Sequence, residues 1–255
     1  MSQVRISSHY RWRRLLPPDF PWVSALLGGL TVLVYLGQVL SEMIFGVDFP
    51  ALWGVKFSPW IIQQHQYWRL LTPMFLHAGL IHIGLNMWGL YVLGPTLEQL
   101  LGPWRFALLY FVSAYAGNAL STLLSSGASL GASTAIFGLL GAYFVIFYVN
   151  RDYLGAYARH AANQALFWIV VNLVWSLQGR IDLWGHVGGL LGGALFSLMG
   201  GPVWADFGGK VYDYGARLLA LRDHRPYRDV VLAALVTVGV FSGLLIWRYP
   251  QILPF

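Results

Sequence analysis

Four polar side chains stand at the heads of otherwise apolar stretches: Ser133 in Gly131–Gly138 (GASTAIFG), His82 and Asn86 in HIGLN, and His186 in LWGHVGG. A hydroxyl placed in an apolar helix costs about 1–3 kcal/mol unless something hydrogen-bonds it. Ionisable and amide groups inside membrane segments are expensive enough to be functional candidates by default. A serine that meets a histidine is a nucleophile beside its base, a pair able to perform acyl transfer with no third acid. His82 and Asn86 lie four residues apart and share one helical face. His77, five residues before His82, does not share that face, and no HExxH run occurs, so no metal site is expected. Each residue alone has a plainer reading. A serine can bond the carbonyl one turn earlier, and an asparagine can join two helices. What matters is whether the elements carrying these groups bring them together.

Those elements are apolar blocks. The 255 residues are 57% hydrophobic and 10% charged, against roughly 25% charged in soluble domains, and this is the composition of a polytopic membrane protein. Spans are expected at Trp22–Leu40, His82–Leu100, Phe106–Leu124, Ala132–Val149, Ala162–Leu177, Leu183–Met199 and Val230–Ile246. Residues 41–81 form a long segment rich in Trp, Phe and Pro, expected to lie in or on the membrane interface, with Trp68-Arg69 as an anchor. Residues 203–229 are the most charged part, with apolar residues at helical spacing from Val211 to Leu219. Lys and Arg in alternate loops divide 12 to 4: Arg5, Arg11, Arg13, Arg14, Arg105, Arg151, Arg159, Lys210, Arg217, Arg222, Arg225 and Arg228 against Lys56, Arg69, Arg180 and Arg248. This bias predicts a cytoplasmic N-terminus and an external C-terminus. The starts of spans two, four and six then share the outer face, so Ser133, His186, His82 and Asn86 reach similar depth.

Small residues on two spans allow close approach. Gly189 and Gly193 follow His186 by three and seven residues and lie on its face, while span four offers Gly131, Ala135, Gly138 and Ala142. At ordinary axial separations of about 8–10 Å a short serine and an imidazole are poorly placed to meet. Glycines remove that obstacle. The net charge of +6 is spread in short clusters between apolar blocks, so no nucleic-acid partner is expected. The absence of cysteine excludes disulfides, thiolate metal sites and cysteine nucleophiles. The N-terminus does not read as a cleavable signal, and no internal repeat is visible.

GASTAIFGLLGAY resembles the GxSx signature of the rhomboid intramembrane proteases. His77 to Asn86 resembles the family's HxxxxHxxxN, Tyr67-Trp68-Arg69 its first-loop Trp-Arg, and Glu98 to Gly102 its ExxxG. Gly185 to Gly193 resembles its histidine helix, and all five occur in family order over residues 22–203. The resemblance implies a Ser133 nucleophile, a His186 base, and an oxyanion hole of His82, Asn86 and the Ser133 backbone N–H. It implies supporting roles for Gly131, Phe137 (packed on the histidine), Gly189, His77, Trp68 and Arg69. It implies transmembrane protein substrates and no cofactor. Thr134 departs from a common glycine and is expected to narrow the pocket beside the serine; span seven lies outside the six-helix core.

The expected fold is therefore an all-α polytopic membrane protein, a six-helix rhomboid-like bundle plus one C-terminal transmembrane helix. Its parts are a cytoplasmic tail (1–21), a catalytic core (22–203), a basic amphipathic linker (204–229) and a seventh span with a short external tail (230–255). The expected location is a bacterial inner membrane. Span five and the loop to His186 are the expected substrate gate. A transporter would show repeated halves with broken helices, which are absent. The other alternative, an inactive rhomboid-like factor that binds or extracts transmembrane clients, should have lost the serine or the histidine.

Overall fold

The structure, a computed structural model, describes residues 20–178, 181–202, 204–205, 222–223 and 225–253. The N-terminal tail and the amphipathic stretch expected at 211–219 lie outside the described residues. The chain is an all-α polytopic membrane protein whose few strands are two-residue pairs.

Helix α1 (Trp22–Phe45) begins where Pro21 leaves its first amides free. The buried Glu98 takes that position: its carboxylate accepts from Val23 N at 2.9 Å, Ser24 N at 2.8 Å and Ser24 Oγ at 2.8 Å. A carboxylate there satisfies orphan amides and complements the helix dipole. Because Glu98 is near the end of α4 (Leu80–Leu101), this contact puts the start of α1 and the end of α4 at one membrane face. Between them, residues 46–79 fold as α2 (Phe49–Gly54), β1 (Lys56–Phe57), α3 (Ser58–Gln63) and two 3-10 turns, Tyr67–Leu70 and Thr72–Phe75.

Helix α5 (Pro103–Leu124) leads to β2 (Ala128–Ser129), which pairs antiparallel with β1, Lys56 opposite Ser129. Helix α6 (Ser133–Val149) is almost wholly buried and packs on α5, on α7 (Arg151–Ser176) and on α8 (Leu183–Gly200). Strands β3 (Trp204–Ala205) and β4 (Arg222–Asp223) pair before α9 (Tyr227–Arg248). Among the described residues five helices, α1, α4, α5, α8 and α9, are long and apolar enough to cross a membrane, and α6 is a shorter apolar helix. At 17 residues α6 reaches the lower limit for a span. Its burial among other helices lets this central helix be shorter than the five spans.

The helix over the expected span five is longer than expected and is not among the five that are long and apolar enough to cross a membrane. Helix α7 has 26 residues and begins at Arg151, with a break at Gly155 (φ 61°, ψ −133°). The polar residues of 151–161 hide this first part from a hydropathy reading. Small residues Ala158, Ala161, Ala162 and Ala165 are nevertheless buried, and they let α7 lie close to α6. Helix α9 packs on α5 and α8, with Tyr115 and Ser242 hydroxyls 2.6 Å apart. Beyond it a 3-10 turn, Pro250–Ile252, presents the Ile252 carbonyl to the Tyr67 hydroxyl. The turn that follows α9 thus braces the segment between α1 and α4.

Candidate active site

Helix α6 starts at Ser133, so the Ser133 amide lies in the first turn and has no intrahelical acceptor. The preceding Gly131 has φ +131°, and a Cβ there would come 2.7 Å from His82 Nε2. Glycine is therefore required both by the backbone and by the ring beside it. Gly131 N donates to Pro73 O at 2.9 Å, which pins the loop.

His186 enters from α8. A Cβ on Gly189 would overlap the Thr134 carbonyl oxygen, and one on Gly193 would overlap the Gly138 carbonyl oxygen. The two backbones are in contact, and His186 Nε2 and Ser133 Oγ lie 2.8 Å apart as a result. Phe137, one turn after the serine, stacks on the imidazole with centroids 4.0 Å apart at 16°. His82, Asn86, Ser133, Phe137 and His186 all line one cavity of ≈430 Å³ between α4 and α7. Its remaining walls include Trp88, Trp168, Asn172 and Trp175, mostly apolar surface open on one side.

Asn86 Nδ2 donates to His82 O at 2.9 Å, leaving one amide proton for the cavity. His82 Nδ1 accepts from Ala78 N at 3.4 Å, which leaves the ring proton on Nε2, the nitrogen beside Gly131. His77 does not line the cavity. It is buried behind the serine loop, where Ala132 N points at its Nε2 at 3.4 Å and its own amide donates to Gln38 Oε1 at 2.9 Å. Burial lowers its pKa from the usual histidine value to about 4, so the ring is neutral at pH 7.

Trp68 and Arg69 lie away from the cavity. Arg69 is buried and donates to Gln66 Oε1 (2.6 Å), Val55 O (2.7 Å) and Leu52 O (3.0 Å), with Trp60 4.5 Å from its guanidinium carbon. Burial lowers its pKa as well. Trp68 stacks on Trp53 at 5.5 Å. The pair organises the segment between α1 and α4. Thr134, expected beside the pocket, instead fits against Gly117 and Gly185 and is absent from the cavity wall. One residue along a helix turns the side chain by about 100°, which carries Thr134 from the cavity into the α5–α8 contact.

Two residues of the site have no counterpart in the sequence motifs. Asp182 caps α8: its Oδ1 accepts from Gly185 N at 2.9 Å, and its Oδ2 accepts from the Ser121 and Ser129 hydroxyls, each at 2.6 Å. An aspartate just before an apolar helix is a readable capping signal. The fully buried Lys56 sits nearby and donates from Nζ to Ser125 O and Gly127 O at 3.1 and 3.0 Å. Burial pulls its pKa down to about 8 despite the Asp182 charge. The other is Ser176, whose Oγ lies 2.7 Å from His186 Nδ1. It stands as one polar residue at the end of an apolar run, a weak signal.

A family model described as the Rhomboid domain matches residues 64–202. RHOMBOID-like protein 6, mitochondrial, of Arabidopsis thaliana is 37% identical over 72% of this chain and 61% of its own length. Rhomboid protease GluP of Bacillus subtilis is 35% identical over 72% of this chain and 33% of its own. Rhomboid-like protease 1 of Toxoplasma gondii is 35% identical over 76% of this chain and 71% of its own. The chain spans about half the length of the first curated relatives it matches.

Proposed function

Because the chain belongs to the rhomboid family, we propose that it is an intramembrane serine protease that hydrolyses peptide bonds in or beside transmembrane segments. The observation that supports this reading is the 2.8 Å approach of His186 Nε2 to Ser133 Oγ inside a cavity at the head of α6. His186 takes the Ser133 proton as the hydroxyl attacks the scissile carbonyl, then gives it to the leaving amine. Water then hydrolyses the acyl-enzyme by the same proton route. The charge on the tetrahedral oxygen is held by the free Ser133 N–H, the second Asn86 amide proton and His82 Nε2–H. Phe137 holds the imidazole plane. The N-terminus is cytoplasmic, the site opens to the outer face, and the membrane is a bacterial inner membrane; the 12-to-4 division of basic residues supports the orientation. The test is turnover of a transmembrane reporter by Ser133→Ala and His186→Ala, in which persistent cleavage by either variant sinks the reading.

His82→Ala and Asn86→Ala are each expected to lower kcat by about 10²–10³-fold with little change in KM. Steady-state kinetics in proteoliposomes measure this, and a variant within threefold of wild type has no oxyanion role.

Substrate enters between α4 and α7, where Trp88 and Trp168 meet edge to face at 6.5 Å across the cavity mouth. The chain has no cysteine, so a Trp88→Cys, Trp168→Cys pair can be bridged selectively by a short bis-maleimide. Bridging is expected to abolish cleavage of a transmembrane substrate, while the unbridged pair still cleaves. Undiminished cleavage after full bridging would place the gate elsewhere.

A further inference from the structure

We propose that Ser176 is a positioning residue for His186, one that fixes the tautomer of the base from the helix lining the cavity mouth. The inference rests on the Ser133–His186 reading above and adds a residue to it.

The second half of α7 faces outward. Trp175 is 61% and Leu177 67% exposed, yet Ser176 between them is only 2% exposed. Between Leu166 and Leu177 only Ile169 and Ser176 are buried. Ser176 owes its burial to α8: its Oγ lies 2.7 Å from His186 Nδ1. The same oxygen lies 2.7 Å from Asn172 O, one turn earlier on α7.

Proton accounting sets the direction of each bond. A hydroxyl has one proton, and a backbone carbonyl only accepts. The Ser176 proton therefore goes to Asn172 O, and Ser176 Oγ accepts from Nδ1–H of His186. The neutral imidazole then carries no proton on Nε2, the nitrogen 2.8 Å from Ser133 Oγ. Nε2 is left as the acceptor that a general base must be. With the opposite tautomer, Nε2–H would face the nucleophile and could not take its proton. Phe137 restrains the ring by stacking, whereas Ser176 restrains its rotation within the ring plane. After proton transfer, both nitrogens carry protons, and Ser176 still accepts from Nδ1. A neutral hydroxyl thus holds the place that an acid holds in a triad. Because Ser176 rides on α7, the base is held in register only while the end of α7 is seated on α8.

The test compares Ser176→Ala, Ser176→Val and Ser176→Thr with the wild-type full chain in proteoliposomes, using a transmembrane reporter. Valine and threonine have the same shape and differ by the hydroxyl, so their difference isolates the hydrogen bond. Alanine and valine are expected to lose about 10–100-fold in kcat with KM within about threefold, and threonine to restore most of it. The rate of Ser133 labelling by a small phosphonate should fall in parallel, because that probe needs no lateral entry of a helix. Equal turnover by the valine and threonine variants would overturn the inference. So would a loss confined to the transmembrane reporter with labelling unchanged, which would assign Ser176 to substrate entry. Ser133→Ala and His186→Ala run alongside. Cleavage by either removes the dyad reading itself, whereas silence from both, with valine equal to threonine, removes only the role of Ser176.

Discussion

Ser133→Ala and His186→Ala are each expected to lower turnover of a transmembrane reporter by at least about 10⁴-fold, to the level of vesicles without protein. The size follows from the geometry. Ser133 Oγ is the hydroxyl that His186 Nε2 reaches, and an unactivated serine at neutral pH is a poor nucleophile. In the proposed mechanism the two act in one proton transfer, so their losses are not expected to add. The double variant is expected to be no slower than either single one. Binding should survive, since alanine removes little from a cavity whose walls are set by Trp88, Trp168 and Trp175. Both variants should still capture the reporter by co-purification, and Ser133→Ala should lose all labelling by a serine-directed phosphonate. Cleavage by Ser133→Ala at more than about a hundredth of the wild-type rate would require another nucleophile.

Gly189→Ala is expected to be nearly as damaging, although glycine does no chemistry. A methyl there overlaps the Thr134 carbonyl oxygen, which is backbone and cannot swing aside. Helices α6 and α8 must then separate by roughly 1 Å, because interiors at this packing density have no slack. Overpacking of this kind costs about 1–3 kcal/mol. Misplacing reacting groups by about that distance costs on the order of 10²-fold in rate. The expected result is a kcat loss of about 10²-fold with a lowered melting temperature in detergent. Gly193→Ala, one turn farther from His186 and overlapping Gly138 O, should lose stability in similar measure and less of the rate. Gly29→Ala is the control, since no heavy atom lies within 4 Å of where its Cβ would stand. Wild-type activity in Gly189→Ala would mean that the α6–α8 contact does not set the Ser133–His186 distance.

The membrane fold and the polar residues that line the cavity were legible because both rest on large local energies. An apolar block announces a span, and a polar group inside one announces a partner it must find. Ser133, His186, His82 and Asn86 stood out for that reason, and the structure draws all four to one cavity. The glycines on the His186 face pointed to the helix pair that packs most intimately. The first part of α7 was not legible, because its polar residues mask a helix held by small buried alanines. Trp68 and Arg69 were visible as a motif, but only the fold shows that they hold a loop together.

The sequence by itself determined which residues are too costly to be idle, and on which helices they lie. Tertiary structure decided their azimuth and their partners. Thr134, next to the serine, turns into the α5–α8 contact, while Ser176, unremarkable in a run of apolar residues, turns onto His186. Glu98 reaches the start of α1, and Asp182 joins α8 to α5. The physical reason is that burial cost belongs to a residue type, and a sequence carries it directly. A hydrogen bond belongs to a pair of atoms within about 3 Å, and that distance exists only after the helices have packed.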